Sequence, residues 1–158
     1  MKKFLITLIF FGCLFFIADK VLYLKMQSLP EREYDKRLEL ILNGKMNQEI
    51  LTFGSSRAQH DVYSDLLQDS LKQKTYNLGY RGANINFQLF LLKKVLLHNK
   101  KPKVILLTVD DYNQFLLEKT LQFRYDKLYP LVKYQEITSE LIQRKEISPF
   151  AFGFISAR

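Results

Sequence analysis

An uncharged run of fifteen residues, Phe4 to Ala18, constrains this chain more than any other feature. A helix needs about 20 residues to cross the hydrocarbon core of a bilayer. The apolar character continues past Asp19 and Lys20 into Val21-Leu22-Tyr23-Leu24, so Phe4 to Leu24 is just long enough. Lys2 and Lys3 precede the run, and the positive-inside bias predicts a cytoplasmic N-terminus with the remainder sent outward. A cleavable secretory signal begins the same way but needs a small-x-small site after its apolar core, and none stands out. Gly12-Cys13 faintly resembles a lipoprotein site, yet Leu14 to Ala18 stay apolar where a processed lipoprotein turns polar. An uncleaved membrane anchor over residues 1–25 is the expectation. A cytoplasmic domain with a buried N-terminal helix is the alternative, and it would fractionate as a soluble product.

The rest of the composition suits a packed domain. Of 158 residues, 47% are hydrophobic and 25% charged, with six glycines and four prolines, which excludes disordered and collagen-like chains. One cysteine and two histidines supply neither a disulfide nor the usual four zinc ligands, and no cofactor is expected. The net charge of +8 does not point to nucleic acid. Lys2, Lys3, Lys20 and Lys25 flank the anchor, and the other basic residues are spread among acids rather than gathered on one face. Lys100, Lys101 and Lys103 form the densest later run and read as a solvated loop ahead of a strand.

Residues 26–47 read as an amphipathic connector, with Tyr34, Leu38, Ile41 and Leu42 at helical spacing before Asn43-Gly44. From residue 48 a strand, loop, helix rhythm begins. Strands are predicted at 49–53, 74–78 and 103–109, and helices at 65–71 (capped by Ser64), 86–98, 114–121 and 131–144. The run KVILLTV resembles a parallel strand buried on both faces. This alternation predicts an α/β fold with a parallel sheet and right-handed crossovers. Ligands of such sheets bind beyond the carboxyl ends of the strands. Three loops lie there: Gly54-Ser55-Ser56-Arg57, Gly79-Tyr80-Arg81-Gly82-Ala83-Asn84 and Asp110-Asp111-Tyr112-Asn113.

A serine on a tight turn between strand and helix presents its hydroxyl beside backbone amides, the arrangement acyl transfer needs. Gly-Ser-Ser is also common turn and cap chemistry. FGSSRAQH, YNLGYRGAN and KPKVILLTVD together resemble the opening half of an SGNH (GDSL-like) hydrolase, closest to membrane-anchored Gly-Ser-Ser-Arg types that include relatives of envelope O-acyltransferases. The resemblance spans roughly residues 49 to 113 and implies a three-layer sandwich of flavodoxin-like type over residues 48–158. It implies Ser56 as nucleophile and Gly82 in the oxyanion hole; at the family's third block, which usually offers an asparagine donor, this chain departs with DDYN, where Asn113 serves, Tyr112 replaces the donor, or the block is lost. Arg57 and Asn84 are the candidate substrate contacts, the substrate being an acylated carbohydrate or lipid. Arg57 reads more readily still as a partner of a neighbouring acid such as Asp61 one helical turn on.

The family draws its base from a C-terminal Asp-x-x-His block, and no histidine follows His98 here. His60, four residues after Ser56, shares a helix face with it but is poorly aimed to take its proton; His98 reads as a helix C-terminal cap. Asp110 and Asp111 point opposite ways if extended, so no metal pair is expected. Two alternatives stay open: an enzyme of which this chain is the N-terminal part, and a non-catalytic envelope protein on a degenerate SGNH fold. On the first, residues 26–158 freed of the anchor are expected to aggregate or fold marginally, because one sheet edge is left bare. Size-exclusion chromatography and thermal unfolding check this, and a monomeric, sharply melting product points to the second.

Overall fold

The computed structural model describes residues 2–27, 35–110, 115 and 121–147. Helix α1 runs Lys2–Gln27. It is long and apolar enough to cross a membrane, with none of the span Lys2–Leu22 buried. Helix α2 (Arg37–Leu42) follows and buries Leu38, Ile41 and Leu42, three of the positions set by the helical spacing in the connector; Tyr34, the fourth, lies outside the described residues. The apolar face of α2 is part of the core of the following domain, packed with α5 (Ile85–His98).

The domain is mixed α/β with a small parallel sheet. Strands β1 (Ile50–Phe53), β2 (Thr75–Asn77) and β3 (Val104–Leu107) fall inside the predicted ranges, shortened by one or two residues at their ends. The sheet order is β2-β1-β3, both pairings parallel. Ile50 pairs with Thr75 on one side and Val104 on the other, which sets the register. β1 is therefore central, and all four of its residues are buried. Its side chains alternate: Leu51 and Phe53 enter the main core with Phe87, Leu91 and Val95 of α5 and with Ile137 and Leu141 of α6 (Gln135–Gln143). Tyr80, Phe87, Phe90 and Phe123 meet there edge-on, with ring centroids 5.2 to 5.6 Å apart for Tyr80–Phe87, Phe87–Phe123 and Phe90–Phe123, a geometry that suits aromatic quadrupoles.

Three expectations need correcting. Ser64 is the first residue of α4 (Ser64–Leu71) rather than its cap; Tyr63 holds the cap position and makes no side-chain cap bond. The helix predicted over 131–144 starts late, as α-helix only from Gln135 to Gln143, with Leu131 instead closing a 3-10 turn, Tyr129–Leu131, whose first positions Pro130 suits. The third correction concerns β3. Expected to be buried on both faces, it has Val104, Ile105, Leu106 and Leu107 all 38 to 44% exposed. Among the described residues β3 has β1 as its one neighbour, and an edge strand shields only one side of its backbone. The predicted helix at 114–121 lies almost wholly outside the described residues.

The core around α5 carries the stability. Leu91 is 0% exposed and Leu97, on the same helix, 69%. Leu91→Ala is expected to cost about 2–5 kcal/mol and Leu97→Ala under about 0.5 kcal/mol, measured by urea unfolding of the full chain in detergent.

Candidate functional site

The segments leaving β1, β2 and β3, the last described as far as Asp110, meet at one rim, held by bonds that run between them. From β2 to β1, the amide of Leu78 donates to Thr52 O (2.7 Å) and that of Tyr80 to Gly54 O (3.0 Å). From β3 to β1, the Thr108 amide donates to Phe53 O (3.0 Å). Gly54 sits where the three segments approach most closely. Its φ is +152°, and a Cβ there would collide with Thr108 Oγ1 and lie 2.6 Å from the Ala58 Cβ. Gly79 on the β2 loop is equally confined, since a Cβ would stand 2.6 Å from Gln59 N and 2.7 Å from Ala58 Cβ. Two glycines thus let helix α3 (Ser56–Asp61) lie directly against both loops.

The two serines of the turn differ. Ser55 is 1% exposed, and its hydroxyl donates to the Asp110 carboxylate, tying the β1 loop to the end of β3. Ser56 is partly exposed and opens α3. Its amide and that of Arg57 precede the first hydrogen bond of that turn, Gln59 N to Ser55 O at 3.1 Å, so neither has an intrahelical acceptor. Among the described residues the Ser56 hydroxyl forms no hydrogen bond. Arg57 is exposed and donates from Nη1 to the Asp110 carbonyl at 3.1 Å. Asp110, weighed in the sequence only as half of a metal pair, is the residue both neighbours of Ser56 hold.

Gly82 has φ +71°, and its carbonyl accepts from the Gln122 amide at 2.8 Å. The Asn84 amide donates to Gln122 O at 3.0 Å, so residues 82–84 are strapped to the segment around Gln122. Arg124 extends that strap by donating to the Arg81 carbonyl, while its other guanidinium nitrogens grip Asp126 at 2.6 to 2.7 Å. The Asn84 side chain is 8% exposed, and its Oδ1 accepts from the Phe87 amide at 3.0 Å as the N-cap of α5. Its oxygen is committed to the helix. Asn113, Tyr112 and Asp111 lie outside the described residues.

Asn77 carries a role that the sequence reading missed. Its Nδ2 donates to Ala58 O (2.7 Å) and Val62 O (2.8 Å), and its Oδ1 accepts from the Gly79 amide (2.8 Å). One carboxamide thus closes the end of α3 and the start of the β2 loop. An Asn two residues before a loop glycine is the available signal, since Asn bonds the backbone two residues on. Gln59 adds a second tie, accepting from the Arg81 amide at 2.7 Å.

Arg37 reaches the same rim from the connector. It lies over the Tyr80 ring (3.8 Å to the centroid), donates to the Gly79 carbonyl (2.6 Å) and pairs bidentately with Asp35 (2.9 and 2.7 Å). Burial alone would push the Asp35 carboxyl up, but hydrogen bonds and charge from Arg37 outweigh it and hold the group below its ordinary value. Burial drives the Tyr80 phenol well above the usual range, so it stays protonated.

The histidines stand apart from one another. His60 is exposed, one turn after Ser56 on α3. His98 ends α5, roughly 20 Å along the helix from the rim by its 14-residue length, and bonds Glu136 at 2.8 Å beside Lys94. Among the described residues no group of three or more His, Cys, Asp or Glu side chains is placed to hold a metal ion. No family model, curated protein or solved structure matches the chain.

The rim's rigidity is testable. Asn77→Ala removes three hydrogen bonds, two of them to carbonyls that end α3, and is expected to cost about 2–4 kcal/mol. Asn77→Asp keeps the acceptor but loses both donors and is expected to be no better. Gly54→Ala is expected to cost about 3 kcal/mol or more through collision and backbone strain. Denaturant midpoints of the three variants against the parent check the order.

Proposed function

We propose that this is a membrane-anchored serine acyl-esterase or O-acyltransferase of SGNH type, with its domain on the extracytoplasmic side. Its substrate on this reading is a short-chain acylated carbohydrate or lipid of the cell envelope. The observation that carries the proposal is the convergence of three parallel-strand exits on a turn that leaves Ser56 partly exposed at the start of α3, its hydroxyl without a hydrogen bond among the described residues. In this role Ser56 attacks the acyl carbonyl, and the amides of Ser56 and Gly82 receive the developing oxyanion. Arg57, exposed at the rim, contacts the polar body of the substrate. The sheet order β2-β1-β3 with α5 crossing from β2 to β3 agrees with the start of a doubly wound, flavodoxin-like sheet, the core of the three-layer sandwich on this reading. Lys2 and Lys3 ahead of α1 favour the outward orientation.

One observation favours a second reading, a non-catalytic envelope protein that binds through the same rim. Asp110 is committed to Ser55, and neither His60 nor His98 is bonded to a rim carboxylate, so the described residues offer no oriented base. A serine without its base loses on the order of 10³- to 10⁶-fold in rate.

A fluorophosphonate probe applied to the full chain in detergent separates the two. Labelling that disappears in Ser56→Ala and survives in Arg57→Ala is the enzyme outcome. Labelling unchanged in Ser56→Ala overturns the nucleophile. An unlabelled chain whose unfolding temperature still rises with an acetylated glycan supports the binding reading.

A further inference from the structure

We infer that Arg37 is a positioning residue for the rim: it fixes the loop from Gly79 to Asn84 from the connector side, and with that loop the Gly82 amide. The consequence for reactivity rests on the roles proposed for Ser56 and Gly82, and the latch itself rests on contacts. Arg37 opens α2, whose Leu38 and Ile41 are buried in the core that α2 shares with α5. The base of its side chain is therefore set by the core. Its guanidinium makes three contacts at once: Asp35 through Nε and Nη2, the Gly79 carbonyl through Nη1, and the face of the Tyr80 ring.

Tyr80 is the reason this hold matters. The residue is 1% exposed, and its hydroxyl is buried with no hydrogen-bond partner among the described residues. A buried hydroxyl left unbonded favours any conformation that returns it to water. Ring packing opposes that: Phe87 meets the ring edge-on at 5.2 Å, and the Arg37 guanidinium lies 3.8 Å from its centroid, a cation over a π face largely out of solvent. The Tyr80 amide donates to Gly54 O and its carbonyl accepts from the Ala83 amide, both at 3.0 Å. Gly82 thus lies within a turn that begins at Tyr80. Gln122 and Arg124 fix the carbonyls of Gly82 and Arg81, and Arg37 fixes the start of the same turn.

The latch is charge-assisted and close in sequence to the anchor. Burial pushes the Asp35 carboxyl up and Arg37 more than reverses it, so the pair stays ionised at neutral pH and keeps the guanidinium oriented on Gly79 and Tyr80. A lysine in its place would keep the charge but lose the planar fork and the stacking face. Arg37 stands ten residues after Gln27, the last residue of α1, which keeps the latch within roughly 35 Å of the end of that helix. The rim is thereby tied to the part of the domain nearest the anchor.

Hydrogen exchange and fluorophosphonate labelling of the full chain in detergent test the latch apart from the enzyme reading. Arg37→Ala is expected to speed exchange of the amides of residues 79–84 about 10-fold or more, the effect of losing one charge-assisted bond. Amides of α5 from Leu91 to Val95 are expected to keep their protection. The saturating rate of labelling at Ser56 is expected to fall in Arg37→Ala, with the half-saturating probe concentration unchanged. Free guanidinium, well below denaturing concentration, is expected to restore both readouts in Arg37→Ala, whereas a merely destabilised chain would open further. Arg37→Lys is expected to fall between the parent and Arg37→Ala, and it carries the test should the alanine variant fail to fold by urea unfolding. Lys103→Ala, which removes the exposed pair with Glu49, is expected to change neither readout. A parent chain that is not labelled, but whose loop opens in Arg37→Ala, supports the latch and overturns the enzyme reading. The positioning role is overturned by a folded Arg37→Ala chain whose loop exchanges as the parent's does, by exchange raised equally in α5, by a labelled chain whose loop opens with no change in labelling rate, or by guanidinium that only increases exchange.

Discussion

The close approach of three chain segments around Gly54 is the constraint on which the rest of the rim depends. β1 is central and fully buried, so the chain leaving it has no room to swing outward before it turns. With any side chain at position 54, the Thr108 hydroxyl and the Ala58 methyl would have to move, and with them the end of β3 and helix α3. The same packing brings Ser55 under the surface and sets its hydroxyl on Asp110. Ser56 is left at the surface because Ser55 is used inside. The difference between two adjacent, chemically identical side chains is one of burial alone.

A second layer of polar bonds ties this rim to elements distant in sequence. Asn77 links β2 to α3, Gln122 and Arg124 hold residues 81–84, and Arg37 joins the connector to Gly79 and Tyr80. The Asp35–Arg37 pair is mostly buried, with each side chain 19% exposed, where a bidentate guanidinium bond counts for more than an exposed pair. The Lys103–Glu49 pair is open to solvent and contributes little. At the other end of the domain Lys94 and His98 of α5 meet Glu136 of α6. Burial would raise that carboxyl, and the two hydrogen bonds more than reverse it. The rim and the far end are each held by charge-assisted bonds, while the aromatic cluster of Tyr80, Phe87, Phe90 and Phe123 fills the space between.

The apolar core and the bare strand follow from one geometric fact. α5 covers the face of the sheet that carries Leu51 and Phe53, and a helix lying over the centre of a small sheet leaves its edge less covered. β3 has the same residue types as a buried strand, yet among the described residues its position gives it one neighbour instead of two. Composition reports what a strand tolerates and leaves open what stands beside it.

Local pattern was enough for much of this molecule. The apolar run of α1, the spacing of Leu38, Ile41 and Leu42, and the three strands followed by polar or glycine-bearing loops were all legible, because each depends on residues within one turn or one strand of each other. The parallel arrangement followed from the alternation of strands and helices. What pattern could not supply was pairwise and long-range. Ser55 with Asp110 spans 55 residues, Arg37 with Gly79 spans 42, and Arg124 with Arg81 spans 43. No periodicity encodes such contacts, since they arise only when separate elements have packed. For the same reason the sequence determined that KVILLTV would be a strand, and the tertiary structure alone decided that its four central residues would be 38 to 44% exposed, because burial depends on neighbours that a strand does not itself contain.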